Sequence, residues 1–150
     1  MLILENPKEF AAHLQKQIGV SEWFSVTQAQ INDFARSTGD QQWIHVDEQR
    51  CKTDSPFGVP IAHGFLLLSM YPSLLNGLLE VKNVRLVLNY GLNKVRFMSP
   101  ILVNSELRMS AKLIDYQEDK MGIKVSFSLT FEMKGNEKPV CVAEVLSLFQ

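Results

Sequence analysis

Between His63 and Leu79 the chain reads "HGFLLLSMYPSLLNGLL". Apolar side chains point in nearly every direction around the helix this stretch predicts: Phe65, Leu66, Leu67, Leu68, Met70, Tyr71, Leu74, Leu75, Leu78 and Leu79. A helix that is hydrophobic all round has to be covered on every side. This one falls short of the roughly 20 apolar residues that a bilayer span needs, and Pro72 interrupts it. It therefore predicts the centre of a fold, with a kink where Pro72 removes one backbone hydrogen bond.

What covers it is legible downstream of about Val81, where the pattern changes from helical to alternating. In "ELRMSAKL", Leu107, Met109, Ala111 and Leu113 share one face and Glu106, Arg108, Ser110 and Lys112 the other. In "IKVSFSLTFEM", Ile123, Val125, Phe127, Leu129, Phe131 and Met133 oppose Lys124, Ser126, Ser128, Thr130 and Glu132. A period of two is that of half-buried antiparallel strands. The polar runs "DYQEDKMG" and "KGNEKP" predict turns, and "VCVAEVLSLF", apolar on both sides, predicts an inner strand. With "VRLVLNYGLNKVRF" added, the reading is a curved antiparallel sheet of four or more strands around one buried helix, an α+β architecture.

The first half of the chain predicts shorter pieces. Pro7 to about Gln17 has the pattern of a short amphipathic helix ended by Gly19, and "EWFSV" that of a brief strand. Thr27 is an N-cap for "QAQINDFARST", whose Ile31, Phe34 and Ala35 share a face, and Gly39 is its terminator. Asp40 then falls just past a helix end, and Asp47 caps a further turn or two in "HVDEQRCK".

At 150 residues the chain predicts one domain, 1–150, able to bury about two-thirds of the surface its unfolded form exposes. Its net charge of −1, with both signs interspersed, argues against nucleic acid or an anionic membrane as partner. Cys51 and Cys141 sit in no paired spacing and are too few for a disulfide framework, which favours a reducing compartment. "MLILENPKEF" has neither the basic start nor the apolar core of a signal peptide, so the expected location is the cytoplasm.

Two places carry residue types suited to proton chemistry. Asp40 and His45 lie five positions apart in "FARSTGDQQWIHVDEQR". Downstream, His63 and Gly64 open the buried helix, where the Gly64 N–H lacks an intrahelical carbonyl and no side chain hinders an approaching one. Such a donor at a helix N-terminus suits a developing oxyanion. Each residue also has an ordinary reading: a turn aspartate, a solvated histidine, and a structural role for His63 as cap or loop partner. Asp40, His45, Asp47 and His63 offer metal-ligand atoms, but no HExxH or paired-cysteine spacing accompanies them, and no metal or other cofactor is expected.

The stretch "FARSTGDQQWIHVD" resembles the signature of MaoC-like dehydratases and (R)-specific enoyl-CoA hydratases, through Phe34, Thr38, Gly39, Asp40, Ile44, His45 and Asp47. "FGVPIAHGFLLLSM" is similar to that family's loop and helix start, and "YGLNKVRFMSPILVNSELRMSAKL" to its strand pair in the nodulation-protein-N branch. The resemblance implies the hot-dog fold, a sheet wrapped around a central helix. It also implies reversible addition of water to a trans-2-enoyl thioester of coenzyme A or acyl-carrier protein. Asp40 and His45 would hold the water and move its protons, in an order the sequence leaves open, while the Gly64 N–H polarises the thioester carbonyl. His63 and Phe65 would contact substrate, and Lys94 and Arg96 the coenzyme A phosphates, with solvent-facing strand residues as the alternative for the latter two. An edge strand left by such a sheet implies a homodimer. The chain departs from the family pattern at Gln42–Trp43, where Asn–Pro is usual, and at Pro72, where characterised hydratases carry a serine. Two other functions suit the same fold. A thioesterase would place a carboxylate on the helix, and none lies between His63 and Leu79. A non-catalytic acyl-thioester binding module would keep the pair as structure.

Overall fold

The computed structural model describes residues 1–150. Strand β1 (Leu2–Leu4) leads into a 3-10 turn at Pro7–His13, then β2 (Gln17–Val20) and β3 (Phe24–Ser25). Three helices follow: α1 (Gln28–Thr38), α2 (Trp43–Val46) and α3 (Glu48–Asp54). Next come β4 (Ile61–Ala62), α4 (Gly64–Ser69), α5 (Tyr71–Asn76), β5 (Leu79–Val81) and β6 (Val87–Phe97). The chain closes with β7 (Ile101–Leu102), β8 (Glu106–Asp119), β9 (Gly122–Met133) and β10 (Cys141–Phe149).

The main sheet runs β2-β8-β9-β10-β6, with β3 also paired to β8 and every pairing antiparallel. Its inner face is the one the alternation predicts. Leu107, Met109 and Leu113 of β8 and Val125, Phe127, Leu129 and Phe131 of β9 are fully buried. Against them pack Leu66, Leu67, Leu68, Tyr71 and Leu75 from the helical segment, all in one core cluster. At about 1.5–3 kcal/mol for each large apolar side chain removed from water, this interface dominates the energetics of the fold.

The predicted single helix is two. Helix α4 ends at Ser69 with Met70 as its C-cap, and α5 begins at Tyr71 and stops at Asn76 rather than Leu79. Pro72 stands in the first turn of α5, where it can neither donate to the carbonyl four residues earlier nor avoid crowding it. Met70 keeps right-handed backbone angles across the junction, so the pieces remain one helical column. Leu79 then enters β5, pairing in parallel with β1.

Two further expectations are corrected. The Pro7 segment is a 3-10 turn capped by Asn6, whose side chain accepts from Lys8 N–H, and Gln17–Val20 leaves the helix to pair with β8. Phe10 anchors that turn, its ring 5.0 Å from Phe149. "DYQEDKMG" is mostly strand: β8 continues to Asp119 and only Lys120–Met121 turn. Its composition is polar because this end of the ribbon leaves the core and is wetted on both faces. Three boundary signals hold: the Thr27 capping box with Gln30, the left-handed Gly39, and Asp47 accepting from Arg50 N–H at 2.9 Å.

Leu67 has no exposed surface and lies at the centre of the helix–sheet contact. Leu67→Ala is expected to cost about 2–5 kcal/mol. Urea unfolding would show this as a lower midpoint at unchanged slope.

Candidate active site

Gly39 closes α1 with φ 81°, its N–H donating to Ala35 O at 2.9 Å, and so delivers Asp40 to the end of the helix. The Asp40 carboxylate folds back over its own loop, where Oδ1 accepts from Gln42 N–H at 3.4 Å, and its side chain is about half exposed. His45 sits in the single turn of α2, which neighbours hold from both sides. Gln28 at the start of α1 donates from Nε2 to His45 O at 2.7 Å. From α3, Cys51 Sγ reaches Ile44 O at 3.6 Å and the Arg50 guanidinium covers the Trp43 ring at 4.4 Å. Trp43 therefore packs where the family pattern has proline. His45 is buried rather than solvated.

Two histidines cross-brace this segment to the next. His45 Nδ1 donates to Ile61 O at 2.7 Å, and His63 Nε2 donates to Asp40 O at 3.0 Å. A carbonyl oxygen only accepts, so each contact locates a proton: on Nδ1 of His45 and on Nε2 of His63. The Nε2 of His45 is left with its lone pair. The rings stack with centroids 3.8 Å apart and planes 26° from parallel, and Asp40 Oδ2 lies 3.9 Å from His63 Nε2. Burial holds the His45 imidazole below its ordinary 6.5. The Ile61 carbonyl opposes that shift without reversing it, and His63 adds to it. At neutral pH His45 is an uncharged base aimed by its backbone bond.

His45 and Gly64 line one cavity of about 330 Å³, with Phe65, Phe97, Met98 and Pro100 among its other walls. The Gly64 N–H is the first of α4 and has no carbonyl within the helix to bond. A Cβ there would sit 2.8 Å from Cδ1 of Phe97, so a side chain at this position would displace that ring. Phe65, largely exposed, meets Phe97 edge-on at 5.4 Å at the cavity rim.

The expected residues thus divide. His45 and Gly64 line one cavity with Phe65 at its mouth, and Asp40, which does not line it, lies beside His45 with a carboxylate oxygen within 4.8 Å of an imidazole nitrogen. His63 is only 3% exposed and lies behind His45 rather than lining the cavity, so its observed contacts are not those of a substrate ligand. Lys94 and Arg96 alternate with Val95, which packs on the core, and Phe97, which lines the cavity. They consequently project from the outer face of β6, opposite Glu144 and Val142 of β10, away from the cavity of their own chain. Sequence reasoning missed Phe97, Gln28 and the Ile61 carbonyl. Phe97, as the last residue of an alternating strand, carried a weak signal; a backbone acceptor carries none.

Asp40, His45 and His63 place one potential ligand atom each within 4.8 Å of one another. Their arrangement does not fit a metal ion. Imidazole planes stacked 26° apart cannot converge their in-plane lone pairs on one ion at the roughly 2.0–2.1 Å such bonds require. One nitrogen of each ring is also committed to a carbonyl. A second cavity, about 410 Å³, lies beside α5 and includes Tyr71, Pro72, Asn89 and Ser147. Its Tyr71 hydroxyl is already spent on Asn89 Oδ1 at 2.7 Å. Pro72 faces this cavity, not the one holding His45. Burial pushes the Cys141 thiol up to about 11 and also raises Cys51, so neither supplies a thiolate.

Comparison with known proteins agrees with the geometry. The family model described as MaoC like domain matches residues 9–132. The chain is 43% identical to 3-hydroxyacyl-thioester dehydratase Z of Mycobacterium tuberculosis (strain ATCC 25618 / H37Rv), over 96% of this chain and 95% of that one. It is 36% identical to nodulation protein N of Rhizobium leguminosarum bv. viciae, over 93% and 88% respectively. The solved structure of the (R)-hydratase from A. caviae involved in PHA biosynthesis superposes with TM-score 0.74 at 21% identity, over 91% of this chain and 96% of that chain. The sheet-around-helix arrangement is accordingly the hot-dog fold.

The buried His45 generates a pH dependence. Its folded value lies below the 6.5 of an unfolded chain, so on acidification the unfolded state takes up a proton first. The His45 contribution to stability is complete above about pH 6.5 and is lost as pH falls toward the folded value. Thermal melts across that window should show a falling midpoint for wild type and a shallower fall for His45→Gln.

Proposed function

Because the chain belongs to the MaoC-like domain family, we propose that it adds water reversibly to a trans-2-enoyl thioester, the reverse being dehydration of a 3-hydroxyacyl thioester. The observation that carries this reading is the uncharged, backbone-aimed His45 beside Asp40, opening on the cavity where the Gly64 N–H is unpartnered. The name of the mycobacterial relative, with 43% identity over nearly the whole chain, supports the same chemistry.

The steps follow from the groups present. Asp40 and His45 hold one water between them. As the water oxygen bonds to C3 of the substrate, the π electrons of the C2–C3 double bond move onto the thioester oxygen, and the Gly64 N–H stabilises that charge. The pair accepts one proton from the water and returns one to C2, so its own protonation is restored. His45 Nε2 has the lone pair to accept; the carboxylate is the second acceptor at the same water. The (R) sense at the hydroxyl-bearing carbon is part of this proposal, and chiral analysis of the product tests it. A thioesterase reading has less support, since Glu80, the acidic residue nearest the helical column's end, lies in β5 and lines the other cavity.

The functional unit in this reading is a homodimer in the cytoplasm. Strand β6 ends the main sheet, and along it only Val95 is not exposed, with Val87, Leu88, Tyr90 and Leu92 each about half open to solvent. An unpaired, apolar edge of that length is an aggregation hazard unless a second copy covers it. Light scattering is expected to give twice the chain mass, and a stable monomer at micromolar concentration would overturn this.

Asp40 and His45 acting on one water predict non-additive losses. Asp40→Asn, and separately His45→Ala, should each lower hydration of crotonyl-CoA or a longer 2-enoyl-CoA by about a hundred- to ten-thousand-fold. The double variant should be scarcely slower than either, with melts showing that all three remain folded. A folded Asp40→Asn protein working at the wild-type rate would sink the proposal. Free-thiol release, followed in parallel, separates hydration from thioester hydrolysis.

A further inference from the structure

We infer that His63 is the positioning residue of this site: it locks Asp40 and His45 into one unit and does not touch substrate. The inference rests on the hydration reading above. His63 is 3% exposed and absent from the cavity wall, yet it contacts both members of the pair. Its Nε2 donates to Asp40 O at 3.0 Å, which ties the Asp40 backbone, just past the end of α1, to the residue that precedes α4. Its ring stacks on His45 with centroids 3.8 Å apart, and the Phe34 ring of α1 packs tilted against it at 5.1 Å. The His45 ring is thus restrained in plane by its bond to Ile61 O and out of plane by His63.

The proton arrangement makes the restraint specific. His63 Nδ1 is buried without a hydrogen-bond partner, so nothing holds a proton there, whereas the Asp40 carbonyl holds one on Nε2. A phenyl ring would keep the stack and lose the donor. A glutamine amide would keep a donor near the Nε2 position and lose the stack. Those two substitutions therefore separate the two contacts, and a purely space-filling histidine would tolerate phenylalanine.

The test compares wild type, His63→Phe and His63→Gln by crotonyl-CoA hydration, thermal melting and long-range proton–nitrogen NMR of the imidazoles. The wild-type spectrum is expected to show His63 protonated on Nε2 and His45 on Nδ1. His63→Phe should lose roughly 10- to 100-fold in kcat at unchanged KM, since a misplacement of about 1 Å costs on that order. His63→Gln should recover part of that loss. A folded His63→Phe enzyme with wild-type kcat, a defect confined to KM, or a His63 proton on Nδ1 would each overturn the inference. Should His63→Phe fail to fold, His63→Gln and the wild-type spectrum still decide it. Wild-type protein that hydrates no enoyl-CoA would instead refute the hydration reading, and the tautomers alone would then support or overturn the brace.

Discussion

Much of this molecule follows from the need to bury the apolar side of its helical column. Leu66, Leu67, Leu68, Tyr71 and Leu75 make one side of α4–α5 intolerant of water, so a sheet has to curl around that side, while Phe65, Ser69, Ser73 and Asn76 on the other stay exposed. Strands β8, β9 and β10 supply that surface, their inward residues close to fully buried. A register shift between Leu113 and Asp115 interrupts the β8–β9 ladder, and two more interrupt the β10–β6 ladder. Core burial is what this fold lives on. The surface ion pairs, such as Lys8–Glu118 and Arg36–Asp33, lie between well-exposed side chains and contribute little.

The same constraint creates the site. A column buried along one side still has to begin somewhere, and it begins at Gly64, where the first N–H has no internal partner. The residues with proton chemistry come from a different stretch, the end of α1 and the turn of α2. What joins the two stretches is a reciprocal pair of hydrogen bonds, in which a histidine of each donates to a backbone carbonyl of the other. Neither bond uses the Nε2 lone pair of His45. A rigid frame made from backbone acceptors costs the site none of its functional groups, and burial does the remaining work by keeping His45 uncharged.

Much of this was present in the order of residues. The all-round apolar stretch, the faces of β8 and β9, the Thr27 and Asp47 caps and the Gly39 terminator are local facts. Each depends on a period or on one backbone conformation, and each holds except that the helix is covered on one side only, Phe65, Ser69, Ser73 and Asn76 staying exposed. Asp40, His45 and Gly64 were legible through the resemblance because their spacing is itself local. Two of the errors share one cause. The Pro7 segment became a 3-10 turn and a strand because β8 offered ladder partners; the polar end of β8 stayed strand because β9 runs alongside it. Long-range pairing overrode short-range composition.

The sequence by itself determined that a helix would be buried, which strand residues would bury it, and that an acid, a histidine and a bare helix start were available. Only the tertiary structure decided what those groups are able to do. The Ile61 carbonyl places the proton on His45, the Asp40 carbonyl places the one on His63, and Phe97 closes over Gly64 from a strand more than thirty positions downstream. Backbone carbonyls are identical at every residue, so no sequence pattern marks the two that matter. They become specific only when packing brings them to a ring nitrogen. The outward placement of Lys94 and Arg96 was decided in the same way, by the register of β6 on β10 and the side of the sheet that the helix occupies.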